Sequence, residues 1–173
     1  RRSAEAVIGS ALLDLAPRSV LDVGCGRGVW LAEWQARGVS DVAGVDGDYV
    51  ELDRLAIPAD RFNVGDLTRP LALGRRFDLV QCLEVGEHLP RAASGTLVAS
   101  LCTHGDVVVF SAAVPGQGGE NHINERPLED WRALFAEHGY AAFDPFRRRL
   151  SEIPSIEPWY RYNILLYANA AGE

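Results

Sequence analysis

The chain contains no lysine and no methionine, only three cysteines, and no long apolar run. All 17 of its basic residues are therefore arginine, and 24 acidic residues outweigh them to a formal net charge of −7. That balance provides no field to gather nucleic acid or an anionic membrane surface, although Arg147, Arg148 and Arg149 make a local basic run. The missing lysine, beside abundant Ala, Gly and Val, reads as coding bias rather than chemistry. Cysteines this few, and odd in number, argue against a disulfide framework and for a reducing, cytoplasmic compartment. No segment approaches the roughly 20 apolar residues that cross a bilayer. With no methionine present, the natural start is expected upstream of Arg1.

The 173 residues suffice for one domain, residues 1–173, with a substantial core. Residues 4–15 put Val7, Ala11, Leu12 and Leu15 on one helical face, and Pro17 stops that helix. Strands are expected over 19–23, 42–45, 61–64, 77–83 and 106–111. Between them the patterns predict helices over 29–37, with Trp30, Leu31 and Trp34 inward, over 49–56 with Asp48 as N-cap, and over 90–103. A helix over 128–138 follows, closed by Gly139. Such alternation implies a parallel sheet covered on both faces, a three-layer αβα sandwich. The last two expected strands, 140–146 and 162–168, are joined by a segment with Pro154 and Pro158 and no clear amphipathic helix. A hairpin-like return with an antiparallel final strand fits that segment.

Residues 20–30 (VLDVGCGRGVW) carry the clearest functional signal. A buried strand stops at Gly24, Gly26 and Gly28, and a helical pattern opens at Val29. Glycines at such a strand-to-helix turn let the backbone approach a ligand. A dinucleotide fingerprint would place its third glycine at position 29, which holds Val. The actual spacing, G-x-G-x-G preceded by Asp22, resembles the first motif of class I S-adenosylmethionine-dependent methyltransferases. That resemblance extends over essentially the whole chain and implies a Rossmann-like α/β fold of seven strands, mostly parallel with the last one antiparallel. It implies S-adenosylmethionine as cofactor and S-adenosylhomocysteine as product. Asp22 would help hold the glycine loop and the methionine end, with Gly24 and Gly26 meeting the amino acid and ribose. Asp46, ending the second strand, would accept from the ribose hydroxyls. Asp66 would accept from the adenine amino group, with Leu67 against the ring. Cys25, Gly47 and Leu83 flank these positions and complete the expected cofactor contacts. Taken singly, each Asp is equally a turn or cap residue; their ordered recurrence at successive strand ends gives the motif its weight.

A second segment, Cys82 to Pro90, reads CLEVGEHLP. If residues 84–88 form one helical turn, Glu84, Glu87 and His88 share a face. With His122 from the loop after the fifth strand, they make a candidate divalent-metal site. The run is similar to one in small-RNA 2′-O-methyltransferases, where such residues bind a metal, and to one in ubiquinone-biosynthesis O-methyltransferases. The alternatives are that Glu84 contacts the cofactor and that Glu87 or His88 caps the following helix. Without a metal, His122 is the preferred general base, with His88 the other candidate catalytic imidazole. The glycine-rich stretch 112–125 reads as an acceptor loop, offering hydrogen bonds from Gln117, Asn121 and Asn124. The expected activity is methyl transfer to a small molecule, at oxygen. The rivals are an RNA 2′-O-methyltransferase and a catalytically inactive S-adenosylmethionine-binding partner subunit. A small-molecule acceptor is the expected partner, with neither nucleic acid nor membrane, and a homodimer would complete an otherwise open acceptor pocket.

Overall fold

The computed structural model describes residues 1–172. Its elements run α1 (Arg2–Val7), β1 (Ser19–Val23), α2 (Val29–Ala36), β2 (Asp41–Asp46), β3 (Phe62–Val64), β4 (Leu79–Leu83) and α3 (Ser94–His104). They continue through β5 (Val107–Ser111), α4 (Leu128–Ala136), β6 (Ala141–Phe143), α5 (Arg147–Leu150), α6 (Pro158–Asn163) and β7 (Leu165–Ala168). The strands form one sheet in the order β3-β2-β1-β4-β5-β7-β6. β1 pairs in parallel with both β2 and β4, and β7 runs antiparallel to both β5 and β6. The seven-stranded Rossmann-like α/β sandwich with a reversed last strand is thus present. Among the described residues no helix is long and apolar enough to cross a membrane.

Each central strand is buried on both faces, and successive residues feed opposite layers. Leu21 and Val23 pack with Phe110, Leu97, Trp131 and Phe135 on the face covered by α3 and α4. Val20, Leu79 and Val109 pack with Ile8, Leu12, Leu31 and Trp34 on the other. The rings of Phe135 and Tyr167 stack with centroids 3.8 Å apart. Trp34 donates its indole N–H to Gln81 Oε1 at 2.8 Å, which satisfies the buried indole inside the core. Strand order reverses between β1 and β4, and the strand tips on either side of that junction carry the residues that follow.

Three expectations need correction. The helix over 49–56 is absent; only the turn Leu52–Arg54 is helical. Its residues Tyr49, Glu51, Leu52, Asp53 and Arg54 are all exposed, so no apolar face existed to hold a helix against the sheet. Asp48 therefore caps nothing. Between β6 and β7 the chain forms two short helices, α5 and α6, where no clear helix was expected. Each buries one residue, Leu150 and Asn163, too few to give a legible period. The first helix changes pitch after Val7, widening over Ile8–Leu12 and tightening over Leu13–Leu15, while Val7, Ala11 and Leu12 are buried as the spacing required.

Candidate active site

The turn after β1 is built on positive φ at Gly24 (82°), Gly26 (52°) and Gly28 (76°). Val45 O accepts from Gly24 N at 2.8 Å and from Cys25 N at 3.2 Å, which ties the turn to β2. A Cβ on Gly24 would lie 2.3 Å from Val85 Cγ2, so this glycine answers both a backbone angle and a close approach. Gly24→Ala is expected to lower unfolding free energy by about 2–4 kcal/mol in a urea titration, combining left-handed strain with overpacking.

A cavity of about 660 Å³ opens beside that turn. Gly24 and Gly26 form one wall, Asp46 and Tyr49 a second, Asp66 and Leu67 a third. Glu84 and His88 close the side toward β4. Asp46 is buried, and its Oδ2 accepts from Gly26 N at 2.6 Å while Oδ1 accepts from Gly47 N at 2.7 Å and from the Tyr49 hydroxyl. Three donors on a carboxylate with about four acceptor positions leave room for one further hydroxyl. Tyr49 is otherwise 77% exposed, its ring lying over Gly47. Asp66 also faces the cavity, but its Oδ1 caps Thr68 N (2.9 Å) and Thr68 Oγ1 (2.6 Å), and Arg69 pairs with the other oxygen. These donors hold its carboxyl below the usual range, Thr68 first among them.

Three expected contacts, Asp22, Cys25 and Leu83, are not at the cavity wall. The Cys25 thiol lies under Gly44 and joins the core with Leu31, and burial pushes it up, so it is held as an unreactive thiol. Leu83 is likewise in the core. Asp22 is only 2% exposed, and its Oδ2 has no hydrogen-bond partner. Burial raises its pKa to about 7; the Gln81 amide opposes the shift and the Asp46 charge adds to it.

The 84–88 segment is not the helical turn that was expected. Glu84 adopts φ 56°, and the helical turn begins only at Gly86 and ends at His88. Glu87, His88 and His122 nevertheless come together: one ligating atom from each lies within 4.8 Å of the others. Glu84 does not join them; its Oε2 instead accepts from Gln117 Nε2 at 2.8 Å. Glu87 is 0% exposed with neither carboxylate oxygen hydrogen-bonded, and burial beside Glu84 drives its pKa well above the ordinary carboxylate range. The His88 and His122 rings meet edge to face, 4.9 Å between centroids.

The loop after β5 is stapled to this turn. Glu87 O accepts from Ile123 N (2.9 Å) and Asn124 N (3.0 Å), and buried Asn124 donates to Gly86 O and Ser94 Oγ. Arg126 N bonds Ala113 O and closes the loop on its own base. Trp131 of α4 lies against Gly86, where a Cβ would sit 2.6 Å from its ring, and so supports the turn from below. On the far side of Gln117, Asn163 donates to Gln117 Oε1 at 2.8 Å, joining α6 to Glu84. A second recess there has Pro115, Gln117, Trp159 and Tyr162 in its wall. Tyr49, Glu125 and Asn163 are site residues that sequence reasoning missed. Of these only Glu125, three residues after His122, had a readable signal.

A model of a family described as a methyltransferase domain matches residues 2–149. A ubiquinone biosynthesis O-methyltransferase of Alkalilimnicola ehrlichii is 36% identical over 112 residues, 60% of this chain and 45% of that protein. One from Psychrobacter cryohalolentis is 37% identical over 94 residues, 49% of this chain and 36% of that protein. The chain thus spans less than half the length of these curated relatives. Among solved structures, Streptomyces venezuelae DesVI superposes with a TM-score of 0.72 at 18% identity, covering 98% of this chain and 92% of that one. Magnesium protoporphyrin IX methyltransferase of Synechocystis, solved with bound SAH, gives 0.72 at 18% identity over 98% and 83%. At that identity the likeness is one of fold.

Proposed function

Because the chain belongs to the methyltransferase-domain family, we propose that it is an S-adenosylmethionine-dependent enzyme that methylates an oxygen of a small-molecule acceptor. The cavity at the tips of β1, β2 and β4 carries this reading, since it offers glycine backbone and one free acceptor position on Asp46, with the buried, unpaired Asp22 oxygen on the strand that leads into the glycine turn. A nucleoside with a cationic amino acid tail fits that donor and acceptor set. Oxygen as the methylated atom is supported by the curated relatives named as O-methyltransferases.

S-adenosylmethionine supplies an electrophilic methyl group on a sulfonium. Asp46 is assigned to a ribose hydroxyl, Leu67 to the face of the adenine, and Asp22 to the charge of the methionine end. Asp66 is assigned to the adenine amino group, for which Thr68 and Arg69 compete. Glu87, His88 and His122 fit a divalent ion of the transition series. A wholly buried carboxylate without a donor calls for a cation or a proton, and two imidazoles beside it suit nitrogen-loving metals. Such an ion would acidify an acceptor hydroxyl. In its absence His122 is the group that takes the hydroxyl proton, a neutral imidazole being suited to that near pH 7.

Titration calorimetry with S-adenosylhomocysteine tests the reading. The wild type is expected to bind, and Asp46→Ala to weaken binding by on the order of 1–3 kcal/mol through a lost charge-assisted hydrogen bond. No heat with either S-adenosylmethionine or its product would overturn it. Chelation that leaves turnover unchanged would remove the ion and leave His122 as the base.

A further inference from the structure

Glu125 holds three donors with one carboxylate. Its Oε2 accepts from Gly116 N at 2.7 Å, and its Oε1 accepts from Gly118 N at 2.8 Å and lies 3.0 Å from His122 Nδ1. The two glycines are the sharp bends of the acceptor loop, at φ 85° and 70°. Asn121, just before the histidine, is one of three non-glycine residues with positive φ among the described residues. The backbone is thus bent on both sides to bring His122 and both amides onto one carboxylate. Both Glu125 oxygens accept from backbone N–H groups, which is the bonding of an ionised carboxylate. An ionised carboxylate only accepts hydrogen bonds, so the His122 nitrogen facing it must carry the proton.

We propose that Glu125 is a positioning residue that fixes His122 as the Nδ1–H tautomer and presents Nε2 with a free lone pair. A neutral imidazole has one protonated and one bare nitrogen, and the partner of the first decides which is left to act. Nε2 is the nitrogen that lies against Gly119, where a Cβ would come within 2.3 Å of it. A side chain at 119 would collide with that nitrogen. The same carboxylate therefore shapes the acceptor loop and orients the histidine, linking the loop to the Glu87–His88–His122 cluster. This inference rests on the role proposed for His122 but concerns a property of the ligand-free protein.

The test is imidazole nitrogen NMR on the full chain labelled with 15N-histidine, at a pH where the rings are neutral. In the wild type His122 is expected as Nδ1–H. Glu125→Ala should shift it toward Nε2–H or a mixture, and Glu125→Gln, whose amide oxygen still accepts, should restore Nδ1–H. His104 serves as the internal marker of folding, because its Nδ1 is held by Ser100 O at 2.6 Å and its Nε2 accepts from Leu73 N at 3.1 Å. A wild-type His122 found as Nε2–H would overturn the proposal, whether or not the variants fold. So would an unchanged His122 signal in a folded Glu125→Ala protein, since a residue that merely tethers Gly116 and Gly118 would leave the tautomer alone. Calorimetry with Mn²⁺ separates this result from the reading beneath it. Where the wild type binds Mn²⁺, Glu125→Ala should weaken it roughly 10–100-fold and Glu125→Gln less. A wild type that shows the Nδ1–H signature but takes up no Mn²⁺ ends the metal assignment and leaves Glu125 in place.

Discussion

Glu87→Gln is expected to abolish or nearly abolish methyl transfer while making the ligand-free protein more stable. The native carboxylate is 0% exposed and neither of its oxygens has a donor. Leaving such a group unsatisfied costs about 1–3 kcal/mol, and more when it is charged. Glutamine keeps the volume and removes the charge that burial beside Glu84 opposes. For a domain of this length a gain of that size raises the melting temperature by roughly 2–4 °C for each kcal/mol. Scanning calorimetry of the ligand-free proteins at pH 8, with turnover measured in parallel, checks both halves. Equal melting temperatures would mean that the buried carboxylate is compensated by a partner. A residue that weakens the fold while serving the site is the pattern expected where chemistry, rather than packing, decides identity.

Asp22→Asn is expected to flatten the pH dependence of stability. In the folded protein Asp22 keeps its proton up to about pH 7, because burial penalises the anion, whereas in the unfolded chain it releases it near 3.8. Between those values the folded state binds the extra proton, so wild-type stability is highest below pH 4 as far as this residue is concerned. It falls as pH rises toward 7. About three pH units of offset, at about 1.4 kcal/mol each, amount to roughly 4 kcal/mol across that window. Asparagine has no proton to lose, so the variant should show little of that slope. Urea titrations at pH 5 and pH 8 measure it. Parallel slopes in the two proteins would show that Asp22 is ionised in the fold. Saturating S-adenosylhomocysteine is expected to reduce the wild-type slope, because its ammonium is the counter-charge proposed for this carboxylate.

The sheet was legible because each of its strands leaves a local mark. VLDV and VVVF are short apolar runs bounded by turns, and the reversed strand followed from a connection too poor in amphipathic pattern for a crossover. The cavity beside the glycine turn was legible for the same reason: its glycines, Asp46 and Asp66 sit at strand ends, where sequence order and spatial order coincide. The 84–88 segment was not, because a helical reading of Glu-x-x-Glu-His assumes ordinary backbone angles and Glu84 adopts φ 56°. Two of its three groups still met His122, brought there by a loop 34 residues away whose hydrogen bonds to Glu87 O no local pattern encodes. Tyr49 was read as helical because its segment lacks an obvious breaker before Pro58. Its bond to Asp46 won in the absence of any face to bury.

The Arg126–Ala113 bond and the two amides on Glu87 O fix both stems of the loop between β5 and α4, while Pro115 to Asn121 includes six exposed positions and no buried one. That division makes the tip an interchangeable cassette. The outward side chains between the anchors can drift without disturbing the scaffold so long as Gly116, Gly118 and Gly119 and the Gln117 bonds are kept, and selectivity would travel with those outward positions.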